Sequence, residues 1–356
     1  MADVKKIAII LGTRAEFIKM FTCMHAFDKR GIDYEFIHTG QHSLGDFPKK
    51  FKTRAPDVVI DQRNGFNTDT SGAAKWAIQT LPKIINYLKS QKDIEYVLVH
   101  GDTLSCLISC IAAKLAGKKV IHVEAGLRSG NLLRPMPEEI VRNIVDFFSS
   151  IKFAVSKKSA ARLSGEVYNV GNTCYDALDY AFTLPNDLKL HLPDKYAVCT
   201  FHRHETLKNK SLMEKIVNIL SCSQIPVYIF MHKNTEQKLK EYGLWPLKGN
   251  IIVKDPLPYE QILRVMKNAK FVISDSGGLQ EECAGLNVPF ICLRSETERE
   301  ELLERSDQIL TKFDEETTKV AIMKFSLPRA LYKSDNPYYN GGASAQIVDI
   351  LSKKGI

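Results

Sequence analysis

The sequence lacks most features that specialise a chain by composition. No apolar run approaches the roughly 18–20 residues needed to cross a bilayer; stretches such as Ile7–Leu11 and Val97–Val99 are far shorter, which excludes a transmembrane helix. The eight cysteines form no CxxC pair and keep no regular spacing, so neither a zinc ribbon nor a disulfide framework is expected. Thiols set inside apolar runs read as buried and reduced, which points to the cytoplasm. The N-terminal MADVKKIAIILGTR carries Asp3 and has no small-residue cleavage site, so it reads as a first strand and not as a signal peptide. A dinucleotide fingerprint is missing too: one glycine stands where three are required, and the second strand closes on His38-Thr39-Gly40 instead of an acidic residue. That disfavours a nicotinamide-dependent dehydrogenase. HExxH is absent, and no metal or organic cofactor is expected. Lysine and arginine exceed aspartate and glutamate by 8, but they are scattered, whereas nucleic acid demands a basic face. A small polyanion such as a diphosphate suits this mild excess.

What is present is a chain of 356 residues, 44% hydrophobic and 25% charged, long enough for two globular cores. Short β-branched runs alternate with segments of helical period. Strands are expected at Lys6–Leu11, Tyr34–Thr39, Tyr96–His100, Lys119–Glu124, Lys152–Val155, Glu166–Val170, Tyr196–Phe201, Pro226–His232, Ile251–Asp255, Phe271–Asp275 and Phe290–Leu293. Helices between them include Glu16–Lys29, Thr103–Ala116, Glu138–Phe148, Leu212–Leu220, Tyr259–Lys267 and Leu279–Ala284. This alternation implies parallel sheets covered by helices on both faces, and the strand count exceeds what one such sheet usually holds. The predicted fold is therefore α/β with two doubly wound domains, residues 1–171 and 172–330, followed by a tail and helix at 331–356.

Ligands in such sheets bind beyond the carboxyl ends of the strands. Seven of the nine histidines (His38, His42, His100, His122, His202, His204 and His232) fall at or just past predicted strand ends, which points to a polar cleft. In LGTRAEF, a glycine turn opens a helix, and the amides after Gly12, with Arg14 and Lys19, suit an anionic group. VLVHGDT ends a strand with Asp102, and VIHVEAGLRS places His122 and Glu124 on one strand face by period two. In RPMPEEIVRN, Glu138 and Arg142 share a helix face at four-residue spacing. Asp102, Glu124 and Glu138 thus form a set suited to proton transfer, since crowding holds one protonated while another stays ionised. In the second half, FHRHET closes a strand with His202, and VISDSGGLQEE runs strand, turn, helix. There Ser276, Gly277 and Gly278 offer a hydroxyl and amides to a diphosphate, and Glu282 stands one turn on, placed to hold a ribose diol.

An ordered series of motifs (LGTRAEFIK, HTGQH, HGDT, HVEAGLRS, MPEEIVR, VGNTCYDAL, FHRHET, DSGGLQEE and SETERE) resembles the non-hydrolysing UDP-N-acetylglucosamine 2-epimerases over nearly the whole chain. The resemblance implies two Rossmann-like domains of the glycosyltransferase-B type with an active site between them, and a C-terminal helix that returns to the first domain. It also implies interconversion of UDP-N-acetylglucosamine and UDP-N-acetylmannosamine, by elimination of UDP to a glycal and re-addition. Carried over by motif position, Asp102, Glu124 and Glu138 look like the acid/base set and His202 like the group assisting diphosphate departure. Arg14, Lys19, Arg142, Ser276, Gly277, Gly278, Glu282 and Arg299 look like nucleotide and diphosphate contacts, with largely main-chain uracil contacts near Leu257 and Ile262. The expected partner is a UDP-sugar, with no nucleic acid and no membrane, and the expected assembly a homodimer. A hydrolysing 2-epimerase, a 2-epimerase of a diacetamido or uronic UDP-sugar, and a glycosyltransferase of the same fold are the alternatives.

Overall fold

The computed structural model describes residues 7–62, 70–131, 137–327 and 335–356. Lys6 of the first expected strand, Arg134–Met136 of RPMPEE and residues 328–334 of the tail lie outside the described residues. Two compact units emerge: Met1–Ala177 with Pro337–Ile356, and Leu178–Asn336.

In unit 1 the elements are β1 (Ile7–Leu11), α1 (Arg14–Lys29), β2 (Glu35–His38), α2 (Phe47–Lys50), β3 (Val58–Val59), α3 (Thr70–Ser90), β4 (Tyr96–His100), α4 (Leu104–Leu115), β5 (Lys119–Ala125), α5 (Glu138–Phe148), β6 (Ile151–Ala154), α6 (Lys157–Ala161) and β7 (Glu166–Asn169), then the start of α7 (Cys174–Thr183). The strands form one parallel sheet in the order β3-β2-β1-β4-β5-β6-β7. Strands buried on both faces need uninterrupted apolar runs, and every residue of β1 is buried. Ala8, Ile10, Val97, Val99 and Val120 pack with α3, α4 and α5. Phe17, Phe21, Phe36 and Phe51 form a buried aromatic group around α1.

In unit 2 the chain continues with β8 (Ala197–Thr200), α8 (His204–Leu207), α9 (Lys210–Ser221), β9 (Val227–Phe230), α10 (Lys233–Glu241), β10 (Ile251–Lys254), α11 (Tyr259–Asn268), β11 (Val272–Ser274), α12 (Gly277–Leu286), β12 (Phe290–Cys292), β13 (Gln308–Leu310) and α13 (Glu315–Ser326). The sheet order is β10-β9-β8-β11-β12-β13, again all parallel. Numbered from its own first strand it repeats the order of unit 1, 3-2-1-4-5-6, the doubly wound Rossmann arrangement. Strand order reverses between β1 and β4 in one unit and between β8 and β11 in the other, so each unit has its own switch point.

The chain then returns to unit 1, where α14 (Ala343–Lys353) packs on α1. Ile347, Val348 and Leu351 are buried there, and the hydroxyls of Thr22 and Ser344 lie 2.7 Å apart. The division between units falls within α7, at Ala177/Leu178, and not at residue 172. The amide of Ser344 donates to Asp176 (2.6 Å) inside unit 1, while Leu178 and Ala181 pack with Leu263 inside unit 2, so one helix serves both. Two strands escape the sequence reading: β3 has two residues and β13 three, too short to show a period. No helix among the described residues is long and apolar enough to cross a membrane.

Candidate active site

At the switch point of unit 1, β1 runs into a capping box. The Thr13 hydroxyl accepts from the Glu16 amide (3.2 Å), and the Glu16 carboxylate accepts from the amides of Gly12 (3.0 Å) and Thr13 (2.8 Å). Those amides are thereby occupied, so the turn read as an anion cradle is filled by the chain's own carboxylate. The Thr103 hydroxyl, which caps α4, donates to Glu16 as well (2.6 Å) and links this turn to the end of β4. Burial pushes the Glu16 carboxyl up to about 7, outweighing the hydrogen bonds that favour its ionised form. Arg14 is exposed; its Nε donates to the Ser43 carbonyl (2.8 Å) and its guanidinium lies 5.3 Å from the Phe47 ring centre.

Glu124 and Asp102 stand at neighbouring strand ends. Glu124 is the extra residue of a bulge where β5 loses register with β6, and its φ is +71°, a left-handed conformation that a non-glycine residue adopts only under constraint. The bulge overturns the shared-face reading of His122 and Glu124. The His122 ring is bonded to Asp146 on α5, whereas the Glu124 carboxylate pairs with Lys19 on α1. Asn172 also donates to Glu124 (3.2 Å), and His100 Nε2 lies 3.7 Å from it. Asp102 pairs with the buried Arg142, whose second contact is Glu139 at 3.1 Å. Burial works against the charge of Arg142, but Asp102, Glu139, Glu124 and Glu138 together hold it more firmly protonated than usual. Glu138 opens α5 one turn before Arg142. Unit 1 therefore gathers Asp102, Glu124, Glu138, Lys19 and Arg142, while Arg14 points to the Ser43 loop.

In unit 2 the organising group is Asp275, which is fully buried. It accepts from the amides of His202 (3.2 Å) and Arg203 (3.0 Å) and from the Thr206 hydroxyl (2.9 Å), tying the end of β11 to the turn after β8. The backbone of His202 is fixed in this way, and its side chain stays 43% exposed with Nδ1 3.9 Å from Asp275 Oδ1. Its ring centre lies 5.2 Å from that of His232, whose charged form is disfavoured by burial and by His202. Ser276 caps α12 by accepting from the Leu279 amide (3.4 Å). A Cβ on Gly277 would stand 2.5 Å from Arg299 Nη1, so a side chain there would displace the Arg299 guanidinium; at Gly278 the nearest atom is 3.8 Å away. Arg299 is itself buried between Glu281 (2.9 Å) and Glu298. Glu298 also pairs with Arg294 (2.8 Å), whose guanidinium burial and the nearby Arg203 and Arg299 lower to about 10. Glu282 is half-buried in α12, and the side chains of Leu257 and Ile262 pack against the core under β8 and β11.

Several residues of these networks went unassigned in the sequence reading, among them Glu16, Glu139, Asp146, Asp275, Glu281, Arg294 and Glu298. Glu16 was legible as the third residue after Thr13, a capping-box spacing. Asp275 precedes the Ser-Gly-Gly turn, but nothing in its spacing marks it as the anchor of a distant loop. No group of three or more histidine, cysteine or carboxylate side chains able to hold a metal ion occurs among the described residues.

The family profile for UDP-N-acetylglucosamine 2-epimerase matches residues 25–352. A UDP-N-acetylglucosamine 2-epimerase from Methanocaldococcus jannaschii is 35% identical, over 98% of this chain and 99% of the relative. A UDP-2,3-diacetamido-2,3-dideoxy-D-glucuronate 2-epimerase from Pseudomonas aeruginosa is 29% identical, over 98% and 99%. Among solved structures, the M. jannaschii UDP-GlcNAc 2-epimerase in complex with UDP-GlcNAc and UDP superposes with a TM-score of 0.83 at 30% identity, covering 98% of this chain and 99% of that one.

Proposed function

We propose, for a chain that belongs to the UDP-N-acetylglucosamine 2-epimerase family, that it interconverts UDP-N-acetylglucosamine and UDP-N-acetylmannosamine without net hydrolysis. The observation that carries this reading is the pair of carboxylates at adjacent strand ends, Asp102 and Glu124, each matched to its own cation, Arg142 and Lys19.

The proton on sugar carbon 2 is barely acidic, so its removal must be coupled to loss of the group on carbon 1. A carboxylate takes that proton, the C–H electrons form the carbon 1–carbon 2 double bond of a glycal, and the carbon 1–oxygen electrons leave with UDP. Return of a proton to the opposite face of carbon 2, with re-addition of the UDP oxygen at carbon 1, inverts the configuration. Two faces need groups on both sides, which is a role for Asp102, Glu124 and Glu138. Lys19 and Arg142 pair with two of these carboxylates and hold them in place, and bind substrate anion alongside Arg14. His202 assists departure of the diphosphate. Ser276, Gly277 and Gly278 meet the diphosphate with a hydroxyl and amides, Glu282 holds the ribose diol, Arg299 supports the turn, and the backbone near Leu257 and Ile262 meets uracil.

A second reading keeps the chemistry and changes the sugar to a diacetamido uronic acid nucleotide, favoured by the full-length likeness to the P. aeruginosa enzyme. Proton NMR in deuterated water separates these. UDP-N-acetylmannosamine carrying deuterium at carbon 2 is the expected product from UDP-N-acetylglucosamine, free N-acetylmannosamine would establish hydrolysis instead, and turnover of only the diacetamido uronate would reassign the substrate.

We infer a homodimer from the apolar residues left exposed on neighbouring helices of unit 1: Ile78 on α3, Leu115 on α4, and Ile140 and Phe147 on α5. Eight cysteines, all free and seven of them buried, fit a reducing cytoplasm.

A further inference from the structure

We propose that a buried His122–Asp146 pair is the positioning element that holds the backbones of Asp102 and Glu124 together; this rests on the epimerase reading above. His122 has no exposed surface, and each of its ring nitrogens faces an acceptor. Nδ1 lies 2.6 Å from Asp146 Oδ1 and Nε2 lies 2.9 Å from the Gly101 carbonyl oxygen. Both partners are acceptors, so the ring bridges them by donating from both nitrogens. Burial raises the Asp146 carboxyl, but His122 and Arg128 outweigh it and keep the group below its ordinary range.

The second oxygen of Asp146 accepts from the Gly126 amide (3.2 Å) and from Arg128 Nη2 (2.7 Å). One pair of side chains thereby grips the residue just before Asp102 and the residue two after Glu124. Gly101 and Gly126 adopt φ of +69° and +82° at no cost, whereas Glu124, two residues before Gly126, is held at +71°, a conformation that a non-glycine residue keeps only under constraint. Gly126 is also pressed against the Ser159 carbonyl, leaving no room for a side chain. The Gly101 carbonyl takes a second donor from the Cys106 thiol (3.3 Å). On the far side of Asp102, the Thr103 hydroxyl is held by Glu16. The two strand ends are therefore braced through the protein interior, beneath the carboxylates and away from any contact with substrate.

Two readouts test the pair. In ¹⁵N-labelled wild-type protein at neutral pH, the His122 ring is expected to show both nitrogens protonated, and a neutral tautomer would overturn the proposal without touching the epimerase reading. In Asp146→Asn, one of the two acceptor oxygens becomes an NH2 donor, so the side chain can no longer accept from His122 on one side and from Gly126 and Arg128 on the other, and kcat is expected to fall about 100-fold, since small displacements of reacting groups cost rates of that order. KM and the affinity for UDP should stay within about threefold, because the nucleotide contacts are elsewhere. A kcat within about twofold of wild type, or kcat, KM and melting temperature all worsening together, would remove the positioning role. Wild-type protein with no turnover on any UDP-sugar would instead remove the epimerase reading, and the ring signature would still decide the pair.

Discussion

Asp102 and Glu16 belong to two turns joined by the Thr103–Glu16 hydrogen bond and are both acidic, yet their environments differ. Asp102, proposed above to meet substrate, is paired with Arg142 and remains 24% accessible. Asp102→Asn keeps the shape and removes the base, so turnover is expected to drop about 10³-fold, while calorimetry shows UDP binding intact. Near-normal turnover would take Asp102 out of proton transfer. Glu16 is a structural acid whose folded pKa of about 7 exceeds its unfolded value of 4.5. The native state binds this proton more tightly, so its contribution to stability is fully present below pH 4.5 and is lost as pH rises to about 7. Glu16→Gln lacks that slope. Relative to wild type, the variant should gain about 3 kcal/mol between pH 4.5 and 8, read from denaturant melts at the two ends. A difference that stays flat with pH would show that Glu16 does not titrate there.

Turns between elements decide what the sheets can bind. At the turn from β11 to α12, Gly277 lies under Arg299, whereas a Cβ on Gly278 would meet only Ser276 Oγ, at an ordinary 3.8 Å. Gly277→Ala must push Arg299 out of its grip by Glu281 and Glu298, and UDP affinity should fall about tenfold or more by calorimetry; Gly278→Ala should cost under threefold. Equal losses at both positions would mean that backbone freedom, and not the Arg299 contact, governs the site. These turns also show what could be read in advance. Long buried strands such as β1, β4 and β5 announce themselves as apolar runs, and the motif residues at their ends fall where parallel-sheet logic puts them. The bulge at Glu124 left no trace, because a single residue in a left-handed conformation breaks period two without changing composition. Nor could spacing reveal that Asp275 anchors the loop after β8, a contact across 73 residues set by strand order alone. The short β3 and β13 were invisible because two or three residues carry no period.

At the scale of the molecule, the two sheets divide the proposed chemistry: proton-transfer candidates lie in unit 1 and the proposed ribose and uracil contacts in unit 2. The chain does not end with the second sheet. Its last helix belongs to unit 1, where Ile347, Val348 and Leu351 are buried and the Tyr338 carbonyl accepts from the Asn172 amide (2.8 Å). Asn172 in turn donates to Glu124, so the tail supports a proposed catalytic carboxylate through one intermediate. Three buried aliphatic side chains are worth about 5 kcal/mol or more. Deleting residues 337–356 should therefore lower the unfolding temperature of unit 1 by roughly 10 °C or more, abolish turnover, and leave UDP binding by unit 2 within about threefold. Scanning calorimetry with and without UDP reads both units, since ligand raises only the transition of the unit that binds it. If the deletion left turnover intact, the link from Tyr338 through Asn172 to Glu124 would have no part in catalysis. If it abolished UDP binding, the nucleotide site would have to include residues of unit 1.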